Sequence, residues 1–337
     1  MKHQSSVALI IVFNHKFDGN ITVLEKIYQQ RFSNIYFLIP FYNGDKSNVI
    51  SVYENSYYFQ GYFVQGFKQY FQEHFLHYFF VADDIVLNPE INENNYQQHF
   101  NLTASKSFIP EFYSLDNIKD DHLLYCSPAT IKDGIAKFKN SNVKKWNWCR
   151  VLEAYRFNPL KNGVESAQEL PDYEEATELL KRHGVNINQL SYVDVFGGPK
   201  VPYTFKIIKD NINYLLGHEL LKLKYKLKYP LAGSYSDIVI VSHQSIKKFI
   251  HYCGVFTATE LFVELAVPTA LLFSSSEVVT ESATRKQGQV FWPHSKKRKQ
   301  LYENEMMKYD YNLDKLIAGF PEEKLYIHPI KLSKWKV

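Results

Sequence analysis

The stretch Val7–Phe13 contains no polar side chain. A run this short and this apolar, rich in β-branched residues, folds as a strand covered on both faces, the environment of a parallel sheet between helices. Three further runs repeat the pattern: Ile35–Ile39, stopped by Pro40; Val49–Tyr53; and Tyr78–Ala82, closed by Asp83–Asp84 and an Asn88–Pro89 turn. Between them, apolar residues recur at three- and four-residue steps. Val23, Leu24, Ile27 and Tyr28 predict a helix over 21–32, and Phe63, Val64, Phe67, Tyr70, Phe71 and Phe75 predict one over 62–76. Strands alternating with helices at this spacing predict right-handed βαβ units, hence an α/β fold with an open, mostly parallel twisted sheet flanked by helices. Ligands of such sheets bind at the carboxyl ends of the strands. That rule places Phe13–Asn14, Pro40–Tyr42, Tyr53–Asn55 and Asp83–Asp84 on one rim.

The middle of the chain reads differently. From 140 to 230 the pattern is of helices and loops, with Asp172–His183 a helix closed by Gly184 and Phe196–Pro199 a loop. Leu220–Tyr229 alternates apolar and basic residues, which suits an amphipathic element with one face on the core. A surface for anionic lipid is the second reading of that stretch, and nucleic acid the third. Strand character returns at Ile238–Val241. Helices are predicted over 244–253 and 257–266, followed by a strand at Thr269–Phe273. Three segments result: 1–139, 140–230 as a helical and loop insertion, and 231–337 ending in basic residues.

The 337 residues suffice for a large core, and 45% apolar with 22% charged excludes disordered and collagen-like classes. The formal charge of +4 neither demands nor excludes an anionic partner. Phe and Tyr number 25 each, read as coding bias rather than as a base-stacking groove. Cys126, Cys149 and Cys253 lack metal or disulfide spacing, as in a reducing cytoplasm. Val7–Phe13 lacks a small-residue cleavage site after it, so it is read as a strand and not as a secretory signal. No stretch approaches the ~20 apolar residues of a membrane span, so the expectation is a cytoplasmic protein, at most peripheral to a membrane.

Adjacent carboxylates at the end of a buried strand suit a divalent cation, because Mg²⁺ and Mn²⁺ take one or two protein carboxylates and complete their shell with phosphates and water. The bland alternative is a turn, where Asp is common. Taken in order, the strand Val7–Asn14, the strand Ile35–Tyr42 and the terminated strand Tyr78–Leu87 resemble the nucleotide-sugar half of GT-A glycosyltransferases, of the kind that builds bacterial glycans and polysaccharides. Leu231–Asp237 is similar to that family's glycine loop. Thr259–Glu260 stands where the family has an acidic xED element, and His294 where it has a C-terminal metal-binding histidine. Two departures stand beside these matches: Ala82 replaces the first acid of Asp-x-Asp, and Leu261 stands where the xED element has Asp.

The resemblance implies transfer of a sugar from a UDP- or GDP-linked donor to a hydroxyl of a glycan or glycolipid, with Mn²⁺ or Mg²⁺ held by Asp84, Asp83 and His294. Asp83 supports the metal or reaches the ribose. Phe13, Asn14, Tyr42 and Tyr53 border the nucleotide, Gly233 and Ser234 lie against a sugar, and 140–230 shapes the acceptor side. Glu260 is the candidate catalytic base, with Glu264, one turn later, as the substitute; a base of this kind deprotonates an acceptor hydroxyl in an inverting enzyme. Glu260 reads equally as the end of a Thr257-x-x-Glu260 capping box. Lys296–Lys299 is either a solvated face or a contact for diphosphate. Two rivals remain: a nucleotidyltransferase, which the single glycine in the loop after the first strand disfavours, and a non-catalytic member of a polysaccharide assembly complex. NAD binding is excluded by the lack of Gly-x-Gly-x-x-Gly after that strand.

Overall fold

The computed structural model describes residues 6–115, 151–159, 169–196, 205–291 and 296–336, with backbone alone for 205–208 and 296–298. The four apolar runs form β1 (Val7–Val12), β2 (Ile35–Pro40), β3 (Val49–Val52) and β4 (His77–Ala82). The helical patterns form α1 (Gly19–Tyr28) and α2 (Gln60–Tyr70). Three more strands complete a seven-stranded sheet: β5 (Ser107–Phe108), β6 (Ile238–Ser242) and β7 (Val278–Val279), in the order β7-β5-β6-β4-β1-β2-β3. Only β6 is reversed. It runs antiparallel to both β4 and β5, while the other four neighbouring pairs are parallel. The protein is therefore an α/β fold around a mostly parallel sheet.

The strand period of two sorts β1 onto both faces. Ala8, Ile10 and Val12 join Tyr78, Phe80, Val239 and Val241 in one core, against α2 and the helices α5 (His243–Ala258) and α6 (Val263–Ser274). Val7, Leu9, Ile11 and Phe13 join Phe79, Val81, Ile238 and Ile240 in a second core, with α1 and the C-terminal strand β8 (Lys324–His328). Every residue of β1 is buried, as a doubly covered strand requires. The middle of the chain contributes α3 (Tyr173–Arg182), which Asp172 caps by accepting the Glu175 N–H at 2.8 Å, and Gly184 closes the turn at φ +79°.

Two sequence expectations fail in the second half. The helix expected over 257–266 is two helices with a break: α5 ends at Ala258 and α6 begins at Val263. Thr257 is no N-cap, because its hydroxyl donates to the Cys253 carbonyl at 2.7 Å inside α5. The strand expected at Thr269–Phe273 is the interior of α6. All of Val263–Phe273 is buried, so no polar face marks a helical period, and apolar runs of this length do not separate strand from buried helix.

Pro268 inside α6 has a local use. It has no N–H to give the Glu264 carbonyl four residues back, and that carbonyl accepts the Ser234 N–H at 3.1 Å instead. Thr269 hydroxyl accepts the Ala232 N–H at 3.0 Å. The helix thereby binds the segment 231–236 edge-on, while Ala232–Gly233 pairs with Tyr113–Ser114 on its other side. A Cβ on Gly233 would lie 2.5 Å from the Tyr113 ring. Gly233→Ala is expected to lower stability by about 1–3 kcal/mol through overpacking, read by urea denaturation. Tyr113→Ala in the same chain should recover part of that loss; a loss unchanged by Tyr113→Ala would show that the ring is not the obstacle.

Candidate functional site

The order of the sheet reverses direction of growth between β1 and β4: β2 and β3 lie to one side of β1, and β4 to the other. Such a switch point opens a crevice above the carboxyl ends of the two central strands. Four titratable side chains gather there. Asp83 continues β4, its N–H donating to the Val12 carbonyl at 2.9 Å. Its carboxylate accepts from the Asn14 N–H at 3.3 Å and from Asn20 Nδ2, in the first turn of α1, at 3.4 Å. Asp237 enters from β6, where its carbonyl accepts the Ala82 N–H at 2.8 Å. Asp84 meets His328 at the end of β8, with Nε2 3.1 Å from Oδ1.

The chain brings His328 there through backbone pairing. β8 runs antiparallel to Val86–Leu87, immediately after the acidic pair, and the Ile330 N–H donates to the Asp84 carbonyl at 2.6 Å. The His328 side chain is 3% exposed against 23% for Asp84, so the histidine forms the floor and the carboxylate faces outward. The Tyr235 ring packs on the imidazole, centroids 5.5 Å apart.

Like charges crowded in a desolvated place shift one another. Desolvation pushes the Asp83 carboxyl up to about 7, and the Asp84 charge adds to it against the hydrogen bonds from Asn14 and Asn20. Asp237 also moves up, through desolvation and the Asp84 charge, opposed by His328 and Tyr235. Burial by itself lowers His328, but the hydrogen bond and charge of Asp84, with the charges of Asp237 and Asp83, outweigh it and raise the imidazole. At neutral pH the Asp83 carboxyl thus lies near its own titration point, beside Asp237 and His328, both raised.

A shallow pocket opens beside the cluster on the α2 side, lined by Val12, Asn14, Phe59, Phe63, Ser236 and Asp237 among others. It is a shallow dent with no room to enclose even a water molecule, so a ligand would lie over it, along the rim. Ser236 Oγ is buried without a hydrogen-bond partner among the described residues, a polar atom ready for a ligand oxygen.

The structure distributes the sequence candidates unevenly. Asn14, Asp83 and Asp84 come together. The Phe13 ring is buried against Phe37, in the core beneath the site. Gly233 and Ser234 are buried in the strand that α6 holds, and the site end of that loop is Ser236–Asp237. Tyr42 is turned onto its own loop, accepting the Lys46 N–H at 3.4 Å. Tyr53 is 70% exposed and meets Phe41, 56% exposed, edge-on at 5.9 Å. Phe41 holds φ +55°, an uncommon conformation for an aromatic residue, at the carboxyl end of β2. Glu260 is exposed at φ +56° in the turn that ends α5, not at a helix start, and Glu264 is buried in the first turn of α6, so the two do not share a helix face. That turn adjoins α2, since Gln60 Nε2 donates to the Leu261 carbonyl at 2.8 Å and neighbouring Phe59 lines the pocket. His294, Cys126 and Cys149 lie outside the described residues, while Cys253 is a free, buried thiol. Of the basic run, Lys299 lies 3.7 Å from Glu303 on its own helix.

His328, Asp237, Ser236 and Phe41 were not singled out as site residues from the sequence. A signal for His328 did exist, because Leu325–Ile327 is a short apolar run followed by His328 and Pro329, as Tyr78–Ala82 is followed by Asp83. Among the described residues, no group of three or more His, Cys, Asp and Glu side chains is arranged to hold a metal ion. No family model, no curated protein and no solved structure matches the chain.

Proposed function

We propose that the protein is a glycosyltransferase of the GT-A type, moving a sugar from a UDP- or GDP-linked donor to a hydroxyl of a glycan or glycolipid with the help of Mn²⁺ or Mg²⁺. The observation that carries this reading is the convergence of Asp83, Asp84, Asp237 and His328 at the switch point of a mostly parallel sheet. Carboxylate oxygens and an imidazole suit Mn²⁺, and the carboxylates alone suit Mg²⁺. Asp84 and His328 would be the protein ligands, with diphosphate oxygens and water completing the shell. A cation so held neutralises charge on a departing diphosphate.

The remaining roles follow from position. Asn14, whose N–H is spent on Asp83, offers its side chain to the crevice floor. Ser236 offers a hydroxyl from the opposite wall. Phe41 and Tyr53 present exposed rings above β2 and β3, where a nucleobase can stack. Glu260, exposed in the turn that adjoins α2, would be the base for the acceptor.

The test is calorimetric titration of the full chain with UDP and GDP, each with Mn²⁺ and with EDTA. Binding of one nucleotide that weakens at least about tenfold in EDTA is expected. No binding of either nucleotide under both conditions would overturn the proposal.

A further inference from the structure

In the segment that precedes Leu231–Asp237, six large apolar side chains crowd into twelve positions and all face solvent: Ile212, Leu215, Leu216, Leu220, Leu221 and Leu223, between 41% and 72% exposed. Single exposed leucines are ordinary. A contiguous group of six is not, because an apolar patch of that kind marks a surface with a partner.

The local fold turns these side chains outward. The helix α4 (Phe205–Tyr214) passes into a π-helical stretch, Leu215–Leu220, in which the Leu221 N–H reaches the Leu216 carbonyl at 2.9 Å. The inward positions are occupied by other residues. Tyr214 is buried, stacks on His218 at 5.2 Å and donates its hydroxyl to Glu219 at 2.7 Å. Gly217 lies against Tyr192 so closely that a Cβ would come within 2.5 Å of the ring. With Tyr214 and Gly217 inside, helical spacing puts 212, 215, 216 and 220 outside. The Leu and Lys alternation that follows does not lay its first leucines on the core as the pattern predicted: Leu221 and Leu223 are exposed and only Leu227 is buried.

Charge identifies the occupant. Lys222, Lys224, Lys226 and Lys228 are all exposed directly after the apolar face. The carboxylate among the leucines, Glu219, is engaged by Tyr214. A second copy of the chain would bring lysines against lysines across a two-fold contact, which is repulsive. A nucleic acid would use the lysines and leave the leucines in water. Leucines flanked by lysines on a short element fit the headgroup and acyl boundary of an anionic bilayer, where the apolar face sinks and the ammonium groups meet lipid phosphate. Among the described residues no helix is long and apolar enough to cross a membrane, so the element would lie in the plane of the interface.

We propose that residues 212–223, with the lysines that follow, dock the protein onto an anionic membrane surface. The proposal rests on this patch alone and stands whether or not the crevice binds a nucleotide. For a transferase it would mean that an acceptor can be met at the bilayer.

Co-sedimentation of the full chain with vesicles of phosphatidylcholine, and of phosphatidylcholine mixed with phosphatidylglycerol, tests it. Binding to the mixed vesicles, weakened by added salt, is expected. Leu220→Ser with Leu221→Ser should reduce that affinity about tenfold or more, with an unchanged circular-dichroism melt because both side chains are exposed. Lys222→Gln with Lys224→Gln should cost on the order of fivefold per lysine on anionic vesicles. No binding to mixed vesicles at low salt overturns the proposal, as does binding by the serine variant equal to that of the parent. A parent dimer in sedimentation velocity that the serine substitutions dissociate would equally overturn it, by giving the patch to a second copy.

Discussion

Asp84→Asn should remove cation-dependent nucleotide binding while leaving the fold in place. Asn keeps the size of the side chain and an oxygen for His328, so the buried imidazole retains a partner 3.1 Å away. Asp84→Ala is the poorer choice, since stripping one member from such a pair costs roughly 3–5 kcal/mol when fully buried, and less here because Asp84 is 23% exposed. What Asn lacks is the charge that a hard cation requires. The expected loss is about 100-fold in the affinity measured with Mn²⁺, with the residual equal to the parent in EDTA. His328→Gln should lose roughly 10–100-fold, as ligand and supporting residues of metal sites do. Asp84→Asn binding nucleotide as the parent does, Mn²⁺ included, would remove Asp84 from the site.

Asp83→Asn is expected to stabilise the protein at pH 8 in EDTA. The carboxyl titrates near 3.9 in an unfolded chain and at about 7 in the fold. Between those values the folded state binds the extra proton, so stability falls as pH rises from about 4 to about 7 and the full cost is present above that. Three pH units correspond to ~4 kcal/mol. Replacing one acceptor oxygen by an amide disturbs the bonds from Asn14 and Asn20, which leaves a net gain of about 2 kcal/mol. A melting temperature raised by ~4 °C at pH 8 and unchanged at pH 4 is the corresponding result. A variant less stable than the parent at both pH values would mean that Asp83 is held for its hydrogen bonds and not strained by its neighbours.

Much of the first half was legible in the sequence because each strand there is an uninterrupted apolar run; the three-four repeats located α1 and α2 but overran their ends, predicting 21–32 and 62–76 where the helices are Gly19–Tyr28 and Gln60–Tyr70. β1, β2, β3 and β4 fall within a residue or two of their predicted bounds. The rim rule then placed Asn14, Asp83 and Asp84 together without any knowledge of contacts. The second half resisted for a physical reason. α6 is buried on all sides, so its sequence carries no polar stripe, and Thr269–Phe273 reads as well for a strand as for a helix. The lysine and leucine alternation held in its second half, where Tyr225, Leu227 and Tyr229 face the core between exposed lysines, and failed in its first, where Leu220, Leu221 and Leu223 are exposed.

What the sequence determined by itself is the layered α/β plan and the acidic edge of β4, since both are set by local periodicity and by where an apolar run stops. What the tertiary structure decided is the company that edge keeps. Asp237 and His328 are 154 and 245 residues from Asp83 along the chain, taking the differences 237 − 83 and 328 − 83. They arrive through the reversed pairing of β6 with β4 and through β8 pairing beside the acidic turn. No local pattern encodes such pairings, because hydrogen bonds between strands depend on which edges remain open once the sheet and its helices have packed.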